Sequence, residues 1–217
     1  MSVKAVIFDL DGVIVDSAKF HFQSWKKVAD KLDLRFTEED NEQLKGVSRA
    51  DSLDIILSLN DRELPEVEKG RLLEYKNGLY LGYVSFVDES EILPGAAELI
   101  DDLRDKGLKV ALGSSSKNGR LLLKQMGIFN KFDVIVDGTN ITRSKPDPEV
   151  FLLGANQLNL APKKCLVVED AVSGVEAART GGFRSIGVGD SEILGRAEHV
   201  VSTLEGMTVA RIAELYV

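Results

Sequence analysis

Asp9 and Asp11 stand two residues apart at the end of Val3-Lys4-Ala5-Val6-Ile7-Phe8-Asp9-Leu10-Asp11-Gly12-Val13. Alternate side chains of an extended segment leave the backbone on the same side, so both carboxylates face one space while Leu10 points elsewhere. Two carboxylates held close can divide labour, one ionised as nucleophile and metal ligand, the other passing a proton. The plainer reading is that Asp9 ends a strand and Asp11-Gly12 makes a turn. What decides between them is what arrives later in the chain. Ser114, Lys145 and the pair Glu169-Asp170 each follow a further apolar segment, directly or in the loop after it. A transferring phosphoryl group spreads negative charge over its oxygens, so its chemistry needs positioning, cations and hydrogen-bond donors. Lys145 supplies fixed charge, and Ser114 with nearby backbone amides supplies donors. A phosphate dianion would be repelled by Asp9 unless a metal bridged them. Hard oxygens from Asp9, the Asp11 carbonyl and Asp170, with Glu169 in support and water completing the octahedron, describe a Mg²⁺ site. Taken singly, Ser114 starts a turn, Lys145 is a solvated loop cation and Asp170 is a helix cap. Their ordered recurrence favours the joint site.

These residues need strands to deliver them. The run ending at Phe8 is rich in β-branched residues and reads as a buried strand. Further strands are expected at 108–112, 132–136, 165–168 and 184–188, with a short segment at 200–201. Helices are expected between them: Pro94 to Gly107, 117–126 stopped by Gly127, about 148–158 behind Asp147-Pro148, one ended by Gly181-Gly182, and a last one. Alternation of this kind predicts a parallel sheet with right-handed crossovers. One stretch breaks it. From Ser17 to Leu32 the apolar residues Ala18, Phe22, Trp25, Ala29 and Leu32 recur at helical spacing behind the cap-type pair Asp16-Ser17, and helices follow near 38–44, 49–59 and 65–83. Residues 17–86 are therefore expected to form a helical insert, and 1–16 with 87–217 the α/β core.

The 217 residues suffice for one sizeable core and a smaller second unit, and 44% hydrophobic with 29% charged residues is an ordinary soluble balance. A net charge of -8 argues against nucleic acid, which demands a basic stripe. No apolar run approaches the ~20 residues of a membrane span, and no leader is expected before the first strand. Cys165 is the only cysteine, so no internal disulfide forms, and His21 and His199 are too few for a zinc cluster. A cytoplasmic location, no membrane partner and action as a monomer are the expectations.

Asp-Leu-Asp-Gly-Val behind an N-terminal strand, followed in order by Ser114, Lys145 and Glu169-Asp170, resembles the four motifs of the haloacid dehalogenase superfamily. The resemblance implies an α/β fold with a Rossmann-like parallel sheet and an inserted helical-bundle cap, an Asp9 that attacks phosphorus and an Asp11 that acts as general acid/base. Within that superfamily, His21-Phe22-Gln23-Ser24-Trp25, Lys45 to Leu53, Lys76-Asn77 and Ser114 to Gly119 look like the β-phosphoglucomutase family over nearly the full length. In that family, residues matching His21, Gly46, Val47, Ser48, Arg49, Ser52 and Lys76 line the sugar pocket. Those matching Arg49, Ser116, Lys117 and Asn118 hold the phosphate that is not reacting. The physical logic agrees, because a bisphosphate needs a second anion site, and Arg49 offers a planar fork of donors. Without the resemblance, Arg49 reads as a solvated charge, Ser116 as a cap, His21 as packing, and Phe20, Phe22 and Trp25 as helical core. Gly113 and Ser115 stand where the family usually carries Ala, and Asp147 follows the Lys-Pro pair.

The implied activity is interconversion of β-glucose 1-phosphate and glucose 6-phosphate through an aspartyl phosphate and a glucose 1,6-bisphosphate, with Mg²⁺ as cofactor and a small sugar phosphate as partner. A rival of the same class is a sugar-phosphate phosphatase, in which water reaches the phosphoaspartate. A rival of another class is a non-catalytic phospho-acceptor domain, against which the helical insert and Asp11 argue.

Overall fold

The structure, a computed structural model, describes residues 3–216. Six strands form one parallel sheet: β1 (Ala5–Phe8), β2 (Lys109–Gly113), β3 (Val134–Val136), β4 (Cys165–Glu169), β5 (Arg184–Val188) and β6 (His199–Val201), in the order β3-β2-β1-β4-β5-β6. The chain builds outward from β1 in one direction and then, from β4, in the other. The reversal falls between β1 and β4, and such a switch point opens a crevice at the carboxyl ends of the strands.

Alternation along the central strands sorts their side chains onto two faces. Val6, Phe8, Val110, Leu112, Leu166 and Val168 belong to one apolar cluster, whereas Ala5, Ile7, Ala111, Cys165 and Val167 belong to the other. Both faces are thus covered, as a parallel sheet requires. Helices α5 (Ala96–Asp105), α6 (Gly119–Gln125), α7 (Glu149–Gln157), α8 (Val172–Thr180), α9 (Ser191–Leu194) and α10 (Val209–Leu215) accompany the sheet. Helix α5 begins at Ala96 with Gly95 at its cap position, two residues later than a helix opened by Pro94. Strand β3 starts two residues later than its apolar run, because Phe129–Lys131 winds into a 3-10 turn and the Asp133 carboxylate takes the Val110 amide. Helix α9 has four residues, too few for a helical period to be read in the sequence.

Between β1 and α5 lie α1 (Ala18–Lys31), α2 (Glu38–Glu42), α3 (Arg49–Ser58) and α4 (Glu66–Val84). Trp25, Val28, Ala29, Phe36, Leu44, Leu53, Ile56, Leu57 and Leu72 form an apolar cluster of their own. At the far end of α4, Tyr80 and Val84, with Val87, instead join Val13, Ile14 and Val15 in the cluster beneath the sheet. The two crossings are stitched by the Leu93 amide to the Ile14 carbonyl at 2.9 Å and by an antiparallel bridge between Val15 and Ile92. No helix among the described residues is long and apolar enough to cross a membrane.

At the end of β2, a methyl group added at Gly113 would lie 2.8 Å from the Phe151 ring and 3.0 Å from Ile7 Cγ2, both side chains fully buried. Overpacking a rigid core is destabilising. Gly113→Ala should therefore lower stability in urea by about 1–3 kcal/mol, and Phe151→Leu in the same chain should return part of that loss. Simple additivity of the two changes would contradict the clash.

Candidate active site

The end of β1 places Asp9 at the switch point, almost fully buried, with its amide bonded to the Val168 carbonyl of β4 at 2.9 Å. Lys145, from the loop between β3 and α7, reaches in with its ammonium 2.5 Å from Asp9 Oδ1 and 2.5 Å from Glu169 Oε1. Its ring neighbour Phe151 lies 4.9 Å below. Lys145 is thus a buried paired cation and not a solvated one. Burial works against its charge, yet Asp9 and Glu169 hold its pKa above the ordinary lysine value. The other Glu169 oxygen accepts the Ala171 amide at 2.8 Å, so both oxygens of this carboxylate have partners inside the protein.

Asp170 is not a helix cap: the cap position of α8 is Ala171, with no side-chain bond. One oxygen each of Asp9, Glu169 and Asp170 lies within 4.8 Å of the others. Gly12, in left-handed backbone at φ 82°, makes that approach possible, because a Cβ there would collide with the Asp170 carboxylate. Burial, followed by the neighbouring Glu169 and Asp11, raises Asp9 to about 8 against the pull of Lys145, and burial with Glu169 and Asp9 raises Asp170 well above the usual carboxylate range. Three acids beside one lysine cannot all ionise on its charge alone, which is part of why Asp9 and Asp170 are raised.

Asp11 sits apart from that cluster by its side chain. Its Oδ1 accepts from the Ser17 hydroxyl and lies 3.5 Å from His21 Nε2. Ser17 holds the cap position of α1 in helical backbone and makes no side-chain cap there; its hydroxyl is turned to Asp11 instead. Burial opposes ionisation of Asp11, but the contacts with His21 and Ser17 prevail and hold it below the ordinary carboxylate value. On its other side His21 Nδ1 is 2.9 Å from the Lys76 ammonium. A charged Lys76 donates to Nδ1, which leaves the ring proton on Nε2, facing Asp11. Burial and Lys76 push the imidazole below its usual pKa, against the pull of Asp11. Lys76 lies 5.1 Å over the Trp25 ring and 4.8 Å from that of Tyr80, and Tyr80 is 4.3 Å from the His21 ring. Ser17 and Tyr80 carried no signal in the sequence, since a serine before a helix and a tyrosine on an apolar stripe are ordinary.

One cavity of about 700 Å³ joins Asp9, Asp11, Asp170 and Ser114 to His21, Gly46, Val47, Ser48, Arg49, Ser52, Lys76, Ser116, Lys117 and Asn118. Lys145 and Glu169 lie behind its wall. Not every residue offers a free group. Ser48 caps α3, accepting the Asp51 amide at 3.2 Å, and Ser52 donates to the Ser48 carbonyl at 2.9 Å. Ser114 accepts the Ser116 amide at 3.1 Å, and Ser116 accepts the Asn118 amide at 3.3 Å, so Ser116 shapes the loop and is no cap of α6. Asn118 donates to Asn77 at 3.2 Å. Arg49 is half-buried, and burial holds its pKa below the ordinary arginine value. Arg143 and Thr142 also border the cavity, a position that an exposed loop gives no hint of in sequence.

A sequence model of the haloacid dehalogenase-like hydrolases matches residues 3–182. β-Phosphoglucomutase of Bacillus subtilis is 38% identical over 214 residues, covering 98% of this chain and 95% of that protein. A phosphorylated carbohydrates phosphatase of Thermotoga maritima is 34% identical over 190 residues, 85% of this chain and 84% of its own length. The crystal structure of β-phosphoglucomutase from Clostridium difficile superposes with a TM-score of 0.95 at 39% identity, covering 99% of this chain and 97% of that one.

Burial, with Arg49 nearby and only Asp11 in opposition, lowers Lys76 to about 7; His21 and Tyr80 complete its surroundings. An unfolded lysine titrates at ~10.4. The folded chain therefore binds fewer protons than the unfolded one between about 7 and ~10.4. The cost to stability is full below that window and disappears as pH rises through it. Urea unfolding of wild type against Lys76→Met at pH 6, 7.5 and 9 should show wild type gaining on the variant by up to ~1.4 kcal/mol per pH unit above neutrality. A pH-independent difference would mean that Lys76 titrates normally.

Proposed function

The chain belongs to the haloacid dehalogenase-like hydrolase family, and from that premise we propose that it is a phosphomutase interconverting β-glucose 1-phosphate and glucose 6-phosphate. The observation that carries this reading is the shared cavity, in which the acids at the end of β1 and the cations Arg49 and Lys117 line one space. A hexose carrying two phosphates needs an anion site at each end, whereas a simple phosphatase needs one. Residues 17–86 act as a cap and 1–16 with 87–217 as the catalytic core.

Phosphorylated Asp9 gives its phosphoryl group to the free hydroxyl of β-glucose 1-phosphate: Asp11 takes the hydroxyl proton, a new O–P bond forms, and the Asp9 oxygen–phosphorus bond breaks to give the 1,6-bisphosphate. With the bisphosphate turned end for end, Asp9 attacks the other phosphorus, the bond to the sugar oxygen breaks, and Asp11 returns its proton to that oxygen, which releases glucose 6-phosphate and restores the phosphoaspartate. His21 and Ser17 orient Asp11 and favour its ionised, proton-accepting form. Lys145 and Ser114 lie at the transferring group. Arg49, Ser116, Lys117 and Asn118 hold the distal phosphate, and Gly46, Val47, Ser48, Ser52 and Lys76 the sugar.

The donor set suits a divalent cation. Three carboxylates share one lysine, and one oxygen of each lies within 4.8 Å of the others, near enough for one small hard cation to reach more than one of them. Asp9, Asp170 and the Asp11 carbonyl would hold it, with Glu169 securing Lys145 alongside. When bound, it supplies positive charge between Asp9 and an incoming phosphate. Asp170→Ala should sharply raise the Mg²⁺ concentration for half-maximal activity, and unchanged dependence would remove Asp170 from the ligands.

The phosphatase reading has its own support in the Thermotoga relative. Incubation with β-glucose 1-phosphate, Mg²⁺ and a trace of the 1,6-bisphosphate separates the two: glucose 6-phosphate should predominate over inorganic phosphate. Release of mainly inorganic phosphate would overturn the mutase reading. Asp9→Asn should abolish both products while leaving the fold intact, and Asp11→Asn should slow transfer ~10²- to 10⁴-fold. Near-normal turnover in Asp11→Asn would move the proton work to another group.

A further inference from the structure

Two consecutive peptide carbonyls of the helical block are held by hydroxyls from two different core segments. Ser115, in the loop between β2 and α6, donates to the Gly46 carbonyl at 2.7 Å, and Ser173, in the first turn of α8, donates to the Lys45 carbonyl at 2.9 Å. Adjacent carbonyls of an ordinary extended segment point opposite ways. Gly46, at φ 75°, turns the chain so that each reaches its own hydroxyl. The approach is close: a Cβ at Gly46 would strike the Ser173 hydroxyl, and it would stand 3.2 Å from Ala171 Cβ and 3.6 Å from Lys145 Cδ. The contact therefore lies directly over the lysine that pairs with Asp9. A third core hydroxyl, Ser144, donates to the Asp51 carboxylate on α3. The Ser144 pair is exposed, whereas those of Ser115 and Ser173 are part-buried.

We propose that Ser115 and Ser173 are positioning residues, a two-point latch on the Lys45-Gly46 peptide that holds the helical block shut over Asp9 and so sets how often water, and not a sugar hydroxyl, meets the phosphoaspartate. The inference rests on the mutase reading for its products but not for its geometry. Both bonds are neutral and both partners regain water when the block lifts, so each adds a modest bias toward closure. An acyl phosphate is hydrolysed when exposed, so a modest bias is enough to alter the product ratio.

The test uses Ser115→Ala, Ser173→Ala and the double variant of the full chain, each also carrying Val67→Cys and Lys163→Cys for a pair of dyes. Both positions are exposed, and Cys165 is buried. Dye transfer under saturating glucose 1,6-bisphosphate and Mg²⁺ reports closure, and the ratio of inorganic phosphate to glucose 6-phosphate formed from β-glucose 1-phosphate with a trace of the bisphosphate reports hydrolysis. Each single variant should raise the ratio roughly fivefold, the factor that one net neutral hydrogen bond corresponds to. The double variant should raise it by about the product of the two, with a parallel loss of the closed population. An unchanged closed population in the double variant overturns the latch whatever the products are. Variants that unfold would overturn it too, by making the hydroxyls part of the core's stability. Mainly inorganic phosphate from wild type would overturn the mutase reading, and the dye measurement would still judge the latch.

Discussion

A single buried ammonium carries the centre of this molecule. Asp9, Glu169 and Asp170 are gathered where the sheet reverses, and Lys145 is the cation within bonding distance of the first two. Burying like charges is costly unless they are paired and hydrogen-bonded. Lys145 meets that need only in part, and a cation entering the pocket would let the raised acids ionise. The surrounding construction serves this balance. Glu169 is tied at both oxygens, the Phe151 ring supports the ammonium from below, and Gly12 clears room for Asp170.

The second half of the site comes from helices whose own core is distinct from the sheet's. Trp25 belongs to that core and also lies under Lys76, so the residue that packs the helices positions a charge in the cavity. Tyr80 does the reverse, belonging to the cluster beneath the sheet while its ring packs at a tilt against His21. Asp11 is linked through His21 to Lys76 on α4, so its carboxylate takes its bearings from both parts of the chain.

Much of this was legible in the sequence for definite reasons. The central strands are apolar on both faces and end in charged or turn residues, so β1, β2 and β4 and their acids could be placed to within two residues. Ser17 could not be assigned, because serine before a helix normally caps it, and only the fold shows the hydroxyl turned to Asp11. Lys145 could be enlisted only through its place in the ordered set, since taken singly it reads as a loop cation and sequence does not reveal that its loop folds inward. Arg143 and Ser144 at the cavity rim, and the engagement of Ser48 and Ser52 with backbone, depend on loop paths that no periodicity encodes.

The strand order also dictates a schedule for assembly. β1 is the first strand made and sits at the centre, yet its neighbours begin at Lys109 and Cys165. During vectorial synthesis, both edges of β1 must wait for partners encoded far downstream, while α1 to α4 can meet through short-range contacts. The helices are therefore able to form first and shield the nascent strand's neighbourhood. Asp9 acquires Glu169 only after most of the polypeptide has left the ribosome. Such a chain cannot be catalytically competent while it is still short, and its slowest folding event should be the insertion of β4 beside β1.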